Sequence, residues 1–82
     1  MYQLVYTRRA ERDIDKLEAV TQKRIKKKLE KFQLDPFQYA ERLSSSDLGS
    51  YRFRIGDYRV IFDVDGTALI ILRVGHRREI YR

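Results

Sequence analysis

Three runs rich in β-branched and aromatic residues, YRFRI, YRVIFDV and TALIILRV, follow one another from Tyr51 to Val74, separated only by Gly56-Asp57 and Asp65-Gly66. Both dipeptides are two-residue hairpin signals, because glycine and aspartate tolerate the backbone angles of a tight turn. Three runs joined by two such turns read as an antiparallel meander, and the rest of the chain must fit around it.

Register follows from the first turn. With Gly56 and Asp57 as loop residues, Ile55 pairs with Tyr58, Arg54 with Arg59, Phe53 with Val60 and Arg52 with Ile61. Strand side chains alternate, so Tyr51, Phe53, Ile55, Tyr58, Val60 and Phe62 share one side while Arg52, Arg54 and Arg59 share the other. Carrying the register through Asp65-Gly66 adds Leu69 and Ile71 to the aromatic side, and Ala68, Ile70 and Leu72 to the arginine side. Arg54 opposite Arg59 is a like-charge contact that costs a sheet up to about 1 kcal/mol. A counter-charge is therefore expected, either from Asp57, Asp63 or the helix acids or from a bound phosphate, which arginine grips bidentately.

The N-terminal half carries a different period. YQLVY, residues 2–6, reads as a first strand. Thr7 is a helix cap for residues 8–17, where Ala10, Ile14 and Leu17 share a face. Thr21 is a candidate cap for a second helix with Ile25, Leu29 and Phe32 on one stripe, ended by Asp35-Pro36. The stretch PFQYAERLSSSDLGS has no period and reads as a loop. A short terminal strand at EIY, residues 79–81, is a further possibility. The fold class expected is α+β, ordered β-α-α-β-β-β(-β), with two antiparallel helices on one face of a small, mostly antiparallel sheet.

The tail VGHRREIYR offers Gly75 as a bulge or turn. The end of the third strand at Val74 is expected beside Asp57 and Tyr58, which would bring His76, Arg77 and Tyr81 to Arg54 and Arg59. His76 as a plain surface residue and Tyr81 as a core plug are the alternatives.

Composition narrows the chemistry. At 82 residues the chain is read as one domain, residues 1–82. It has no cysteine and one histidine, which removes disulfides, thiol catalysis and a protein-built zinc site; no metal or cofactor is expected. No signal peptide and no membrane span is legible, so a cytoplasmic location is expected. The net charge of +6 points to a polyanionic partner. All six lysines lie between Lys16 and Lys31, whereas every cation after Ser50 is an arginine, a planar fork suited to phosphate and to stacking on bases. Lys23, Lys26, Lys27, Lys28 and Lys31 form either an RNA-binding or a merely solvated helix face.

YRFRIGDYRVIF, followed about a dozen residues later by RVGHRREIYR and preceded by Arg42-Leu43, resembles the RelE/ParE superfamily of bacterial and archaeal type II toxins. The resemblance implies a RelE-like fold over essentially the whole chain. In the RelE branch, which the HRREIYR ending resembles, it implies a metal-independent endoribonuclease that cuts messenger RNA in the ribosomal A site and is silenced by a cognate antitoxin. The site residues it implies are Arg52, Arg54, Arg59, Arg77 and Tyr81. In the ParE branch it implies a DNA gyrase inhibitor, and a plain RNA-binding domain is a third option. Arg52 and Arg54 stand where RelE patterns carry lysines. Arginine stays protonated, so neither can serve as the base for an attacking 2′-hydroxyl. His76, the one side chain that titrates near neutral pH, is the candidate base or acid, with Glu79 a further one.

Overall fold

A computed structural model describes residues 1–44 and 47–81, and turn and cap chemistry account for most of its elements. Strand β1 is Gln3–Tyr6, followed by helices α1, Arg8–Asp15, and α2, Ala19–Phe32. A short turn at Pro36–Gln38 leads to β2, Glu41–Arg42; β3, Tyr51–Ile55; β4, Tyr58–Asp65; and β5, Ala68–His76. The strands form one sheet in the order β1-β5-β4-β3-β2, with β1 parallel to β5 and the other pairs antiparallel. Among the described residues no helix is long and apolar enough to cross a membrane.

Thr7 caps α1 as its sequence suggests: its hydroxyl oxygen accepts from the Ala10 N–H at 3.2 Å and donates to the Ile71 carbonyl at 2.8 Å. Helix α2 starts two residues earlier than Thr21, at Ala19 after Glu18, and has no side-chain cap. The extra strand falls at Glu41–Arg42, inside the expected loop, rather than at residues 79–81. Those tail residues instead close a helical turn in which Glu79 and Ile80 N–H groups donate to the His76 carbonyl. Of the expected loop, Ser45 and Ser46 lie outside the described residues.

The β3–β4 register is as derived from Gly56-Asp57, with Arg54 opposite Arg59. The next hairpin differs twice. Its loop is Gly66-Thr67, since Asp65 stays in the strand and pairs with Ala68 while Gly66 takes φ +59°. That shift is two residues, so every side chain keeps its face. Then Ile61 pairs with Arg73 but Phe62 with Ile71, leaving Leu72 as the extra residue of a bulge. One extra residue reverses the alternation beyond it. Val74 therefore enters the core opposite Val60, instead of lying beside Asp57, and His76 falls opposite Tyr58.

The core lies between the helices and the aromatic side of the sheet. Ile25, Leu29 and Phe32 of α2 and Ala10 and Ile14 of α1 pack against Phe53, Ile55, Val60, Phe62, Leu69, Ile71 and Val74. Phe53 stacks on Phe62 at 4.2 Å between centroids, and Phe32 meets Phe53 tilted by 43° at 4.8 Å. The other side is partly covered too. Ile61 is fully buried under Gly49, where a Cβ would come within 2.7 Å of its methyl, and buried Ile80 packs over Gly75.

Past Ile71 the strand β1 has ended, and the outer edge of β5 needs another partner. Asp13 of α1 supplies it: its Oδ2 accepts from the Val74 N–H at 3.0 Å and from Arg73 Nε at 2.8 Å. Asp13 is 8 % exposed, so removing its carboxylate strands a backbone donor and a guanidinium together. Asp13→Ala is expected to lose about 2–4 kcal/mol in urea denaturation, and Arg73→Ala less, because the Val74 bond survives.

Candidate functional site

The arginines of β3 project from the side of the sheet away from the helices, and β2 brings them a carboxylate. Glu41 stands directly across from Arg52 in the β2–β3 ladder. Its Oε1 lies 3.1 Å from Arg52 Nε and 2.8 Å from Arg54 Nε, so one oxygen serves two guanidinium groups. Arg52 also donates from Nη1 to the Tyr81 hydroxyl at 2.7 Å and sits 5.9 Å from the centre of that ring. The Tyr81 contact first, and Glu41 after it, hold the Arg52 guanidinium even more firmly protonated than usual. Arg52 is a fixed cation at any working pH.

Arg59 and Arg77 gather at the hairpin tip. Arg59 is 8 % exposed and curls back over the turn, its Nη1 donating to the Gly56 and Tyr58 carbonyls at 2.9 Å each. The Arg77 N–H donates to the Asp57 carbonyl at 2.7 Å, and its Nε lies 3.8 Å from Asp57 Oδ1 with the head exposed. The like-charge pair is thus resolved inside the protein: Arg54 by Glu41 and Arg59 by two carbonyls. Asp57 serves Arg77, whereas Asp63 accepts from the Ser50 N–H at 2.7 Å and pairs with no arginine among the described residues.

His76 does not join this group. The Leu72 bulge turns it to the helix side, where its ring meets Tyr58 edge-on at 5.5 Å and its Nδ1 accepts from the Arg78 N–H at 3.2 Å. Glu79 lines the same helix-side cavity as His76. The sequence suggested His76 beside Arg54 and Arg59, but the structure turns it to the helix side, and Glu41 is the acid set against Arg52 and Arg54. Sequence reasoning missed Glu41 because a two-residue strand has no period to read. Its approach to Arg52 depends on a pairing across eleven positions.

The lysines divide. Lys27, Lys28 and Lys31, with Arg24, occupy positions i+3, i+4, i+7 and i of one α2 stripe and line a groove of about 260 Å³. Lys26 faces another cavity with Tyr6, Glu11 and Asp15, and Lys23 lines neither. The Arg24 guanidinium lies over Gly56, so the basic stripe ends at the hairpin tip. Among the described residues no group of acids and histidine is placed to hold a metal ion.

A two-helix, five-strand domain of this topology also occurs in chains of solved toxin-antitoxin systems. The chain belongs to the family described as the ParE toxin of the type II toxin-antitoxin system parDE, whose pattern it matches over residues 4–81, and so to the RelE/ParE superfamily. The RelBE2 toxin-antitoxin complex of Mycobacterium tuberculosis contains a chain 28 % identical to it, with a TM-score of 0.84 over 93 % of this chain and 98 % of that one. A chain of the RelB-RelE complex of Methanococcus jannaschii is 26 % identical, with a TM-score of 0.73 over 94 % of both. Toxin RelE3 of Methanocaldococcus jannaschii is 48 % identical over 31 residues, 38 % of this chain; the match spans only about a third, 35 %, of that protein's length. The chromosomal ParDE system of Pseudomonas aeruginosa, 22 % identical at a TM-score of 0.72 over 93 % of this chain and 96 % of that one, shares the fold.

Gly56 has φ +60° beneath the Arg24 head. Gly56→Ala is expected to lose about 1–2 kcal/mol in chemical denaturation and to displace Arg24, read as a change in its Nε–H resonance.

Proposed function

We propose that this type II toxin is a ribosome-dependent endoribonuclease that cuts messenger RNA in the A site and so stops translation, held inactive by a cognate antitoxin protein. The supporting observation is the group on the open sheet face: a carboxylate, Glu41, and a tyrosine, Tyr81, set against Arg52 and Arg54, with Arg59 and Arg77 at the adjoining tip. RNA can be cut without a metal when the 2′-hydroxyl attacks the adjacent phosphorus. That bond forms as the bond to the 5′-oxygen breaks, giving a cyclic phosphate and a 5′-hydroxyl.

In this reading Glu41 takes the 2′-hydroxyl proton, a role open to no arginine. Arg54 and Arg59 stabilise the charge that builds on the phosphate, Arg77 steadies the departing 5′-oxygen while it takes a proton from solvent water, and Tyr81 stacks on a base and orients Arg52. When phosphate arrives it competes with Glu41 for the same guanidinium groups, which frees the carboxylate to act. The antitoxin is inferred from the solved relatives, which are toxin-antitoxin complexes. The Arg24, Lys27, Lys28 and Lys31 stripe is assigned to ribosomal RNA, with Lys23 and Lys26 contributing less from other faces.

Gyrase inhibition is the second reading, favoured by the family's description and by the internal neutralisation of the arginines. Expression in cells with mapping of message ends separates the two. Cleaved messages within ribosome-bound codons support the nuclease, and DNA damage with intact messages replaces it. Glu41→Gln is expected to slow message cleavage by about 10²–10⁴-fold, with ribosome association kept. Replacing Lys27, Lys28 and Lys31 together by alanine is expected to reduce the salt dependence of ribosome association by about two in log–log slope. The double change of Lys23 and Lys26 should alter it less.

A further inference from the structure

A cavity of about 400 Å³ lies away from the arginine face. It opens on the helix side of the sheet between α1, the end of β5 and the turn of residues 77–80. Nothing in the cleavage scheme uses it, although it holds the one histidine. Its volume is in the range of small-ligand sites.

The chemistry of its walls is specific. Tyr58 and His76 stand at 79° with ring centres 5.5 Å apart, forming an aromatic corner. Arg9, Lys16 and Arg73 bring three cations to the same space. Asp13 neutralises two of them, its Oδ2 held by Arg73 Nε and the Val74 N–H and its Oδ1 3.7 Å from Arg9 Nε, which leaves Lys16 as the cation with no carboxylate partner among the described residues. His76 accepts through Nδ1 from the Arg78 N–H, so its neutral ring carries its proton on Nε2, a donor with no partner among the described residues. Glu79 on the wall is an acceptor. Flat rings at right angles, with the unpaired Lys16 ammonium, one donor and one acceptor beside them, match a nucleotide: the base stacks and the phosphate meets Lys16.

The position fits as well. Only the hairpin tip separates this cavity from the arginine face, and the tail straddles that rim. Arg77 is tied to Asp57 at the tip and Tyr81 reaches Arg52 on one side, while Glu79 lines the cavity on the other. We propose that the cavity is a subsite for one nucleotide of the RNA strand, flanking the one whose phosphodiester bond lies on the arginines. The inference rests on the nuclease reading for its role, but not for its test. Occupied, the subsite makes cleavage depend on the identity of the flanking base.

The test is titration of the ¹⁵N-labelled full chain, without ribosomes, by adenosine, cytidine, guanosine and uridine 5′-monophosphates and by inorganic phosphate. At least one nucleotide is expected to shift the Tyr58 and His76 amides and the His76 ring resonances. Its affinity should be in the millimolar range, at least several-fold tighter than phosphate, and weakened about tenfold by Lys16→Ala or His76→Ala. Lys16 is the exposed C-cap of α1, so that variant keeps the test valid if His76→Ala misfolds. Shifts confined to Arg52, Arg54, Arg59 and Arg77, or equal shifts with phosphate alone, overturn the subsite and leave the nuclease reading standing. Message cleavage supplies the second readout: Lys16→Ala is expected to redistribute cuts among codons, and an unchanged distribution counts against the subsite. Intact messages with the wild-type chain would remove the nuclease reading, while the titration would still decide whether the cavity takes a nucleotide.

Discussion

A strand alternates its side chains without slack, and the single extra residue at Leu72 therefore governs everything C-terminal to it. Before the bulge, Leu69 and Ile71 point to the helices; after it, Val74 does, and Arg73 is left at the strand edge where Asp13 can reach it. Without the bulge Val74 would be on the exposed side and its place in the core would be empty. The bulge also turns His76 towards α1 and puts Gly75 opposite Arg59, where the missing side chain leaves room for Ile80. The seating of the tail over the sheet thus follows from one inserted residue.

Charge is arranged on the same principle of local satisfaction. The chain carries six more basic than acidic residues, yet its crowded arginines are each met at short range. Glu41 meets two of them, Asp57 a third, Asp13 a fourth, and backbone carbonyls hold Arg59. Glu41 and Asp57 are exposed partners, worth little individually and readily displaced by a phosphate. The buried Asp13 is different, since it also closes a sheet edge. The protein therefore separates a structural ion pair under α1 from an exchangeable one on the open face.

The family places the chain among type II toxins, and the two faces of its sheet suggest how one scaffold serves such a purpose. On one side, the proposed cleavage group is assembled from β2, β3, the hairpin tip and the tail. On the other, an aromatic and cationic cavity is built from α1, β5 and the same tail. The α2 stripe meets the hairpin at Gly56, so all three regions adjoin at one end of the molecule. An RNA strand bound there would touch each of them without crossing the apolar core.

Much of this was legible in the residues themselves. The alternation in YRFRI and YRVIFDV gave the faces of the sheet and the Arg54–Arg59 opposition, and Gly56-Asp57 gave their register, because turn geometry and two-residue periodicity are local properties. Thr7 as a cap and the stripe of Ile25, Leu29 and Phe32 are local in the same sense. The bulge was not legible, since Leu72 is as good a strand residue as its neighbours, and its extrusion depends on β5 fitting β1 and β4 at once. Nor were the partners of the charges, which sit 11 residues away for Glu41 and Arg52 and 60 for Asp13 and Arg73. The sequence determined that arginines would crowd one face and need an anion. Only the tertiary structure decided that the anion is Glu41 and that His76 belongs to the other side, because those outcomes depend on which distant segments close against each other.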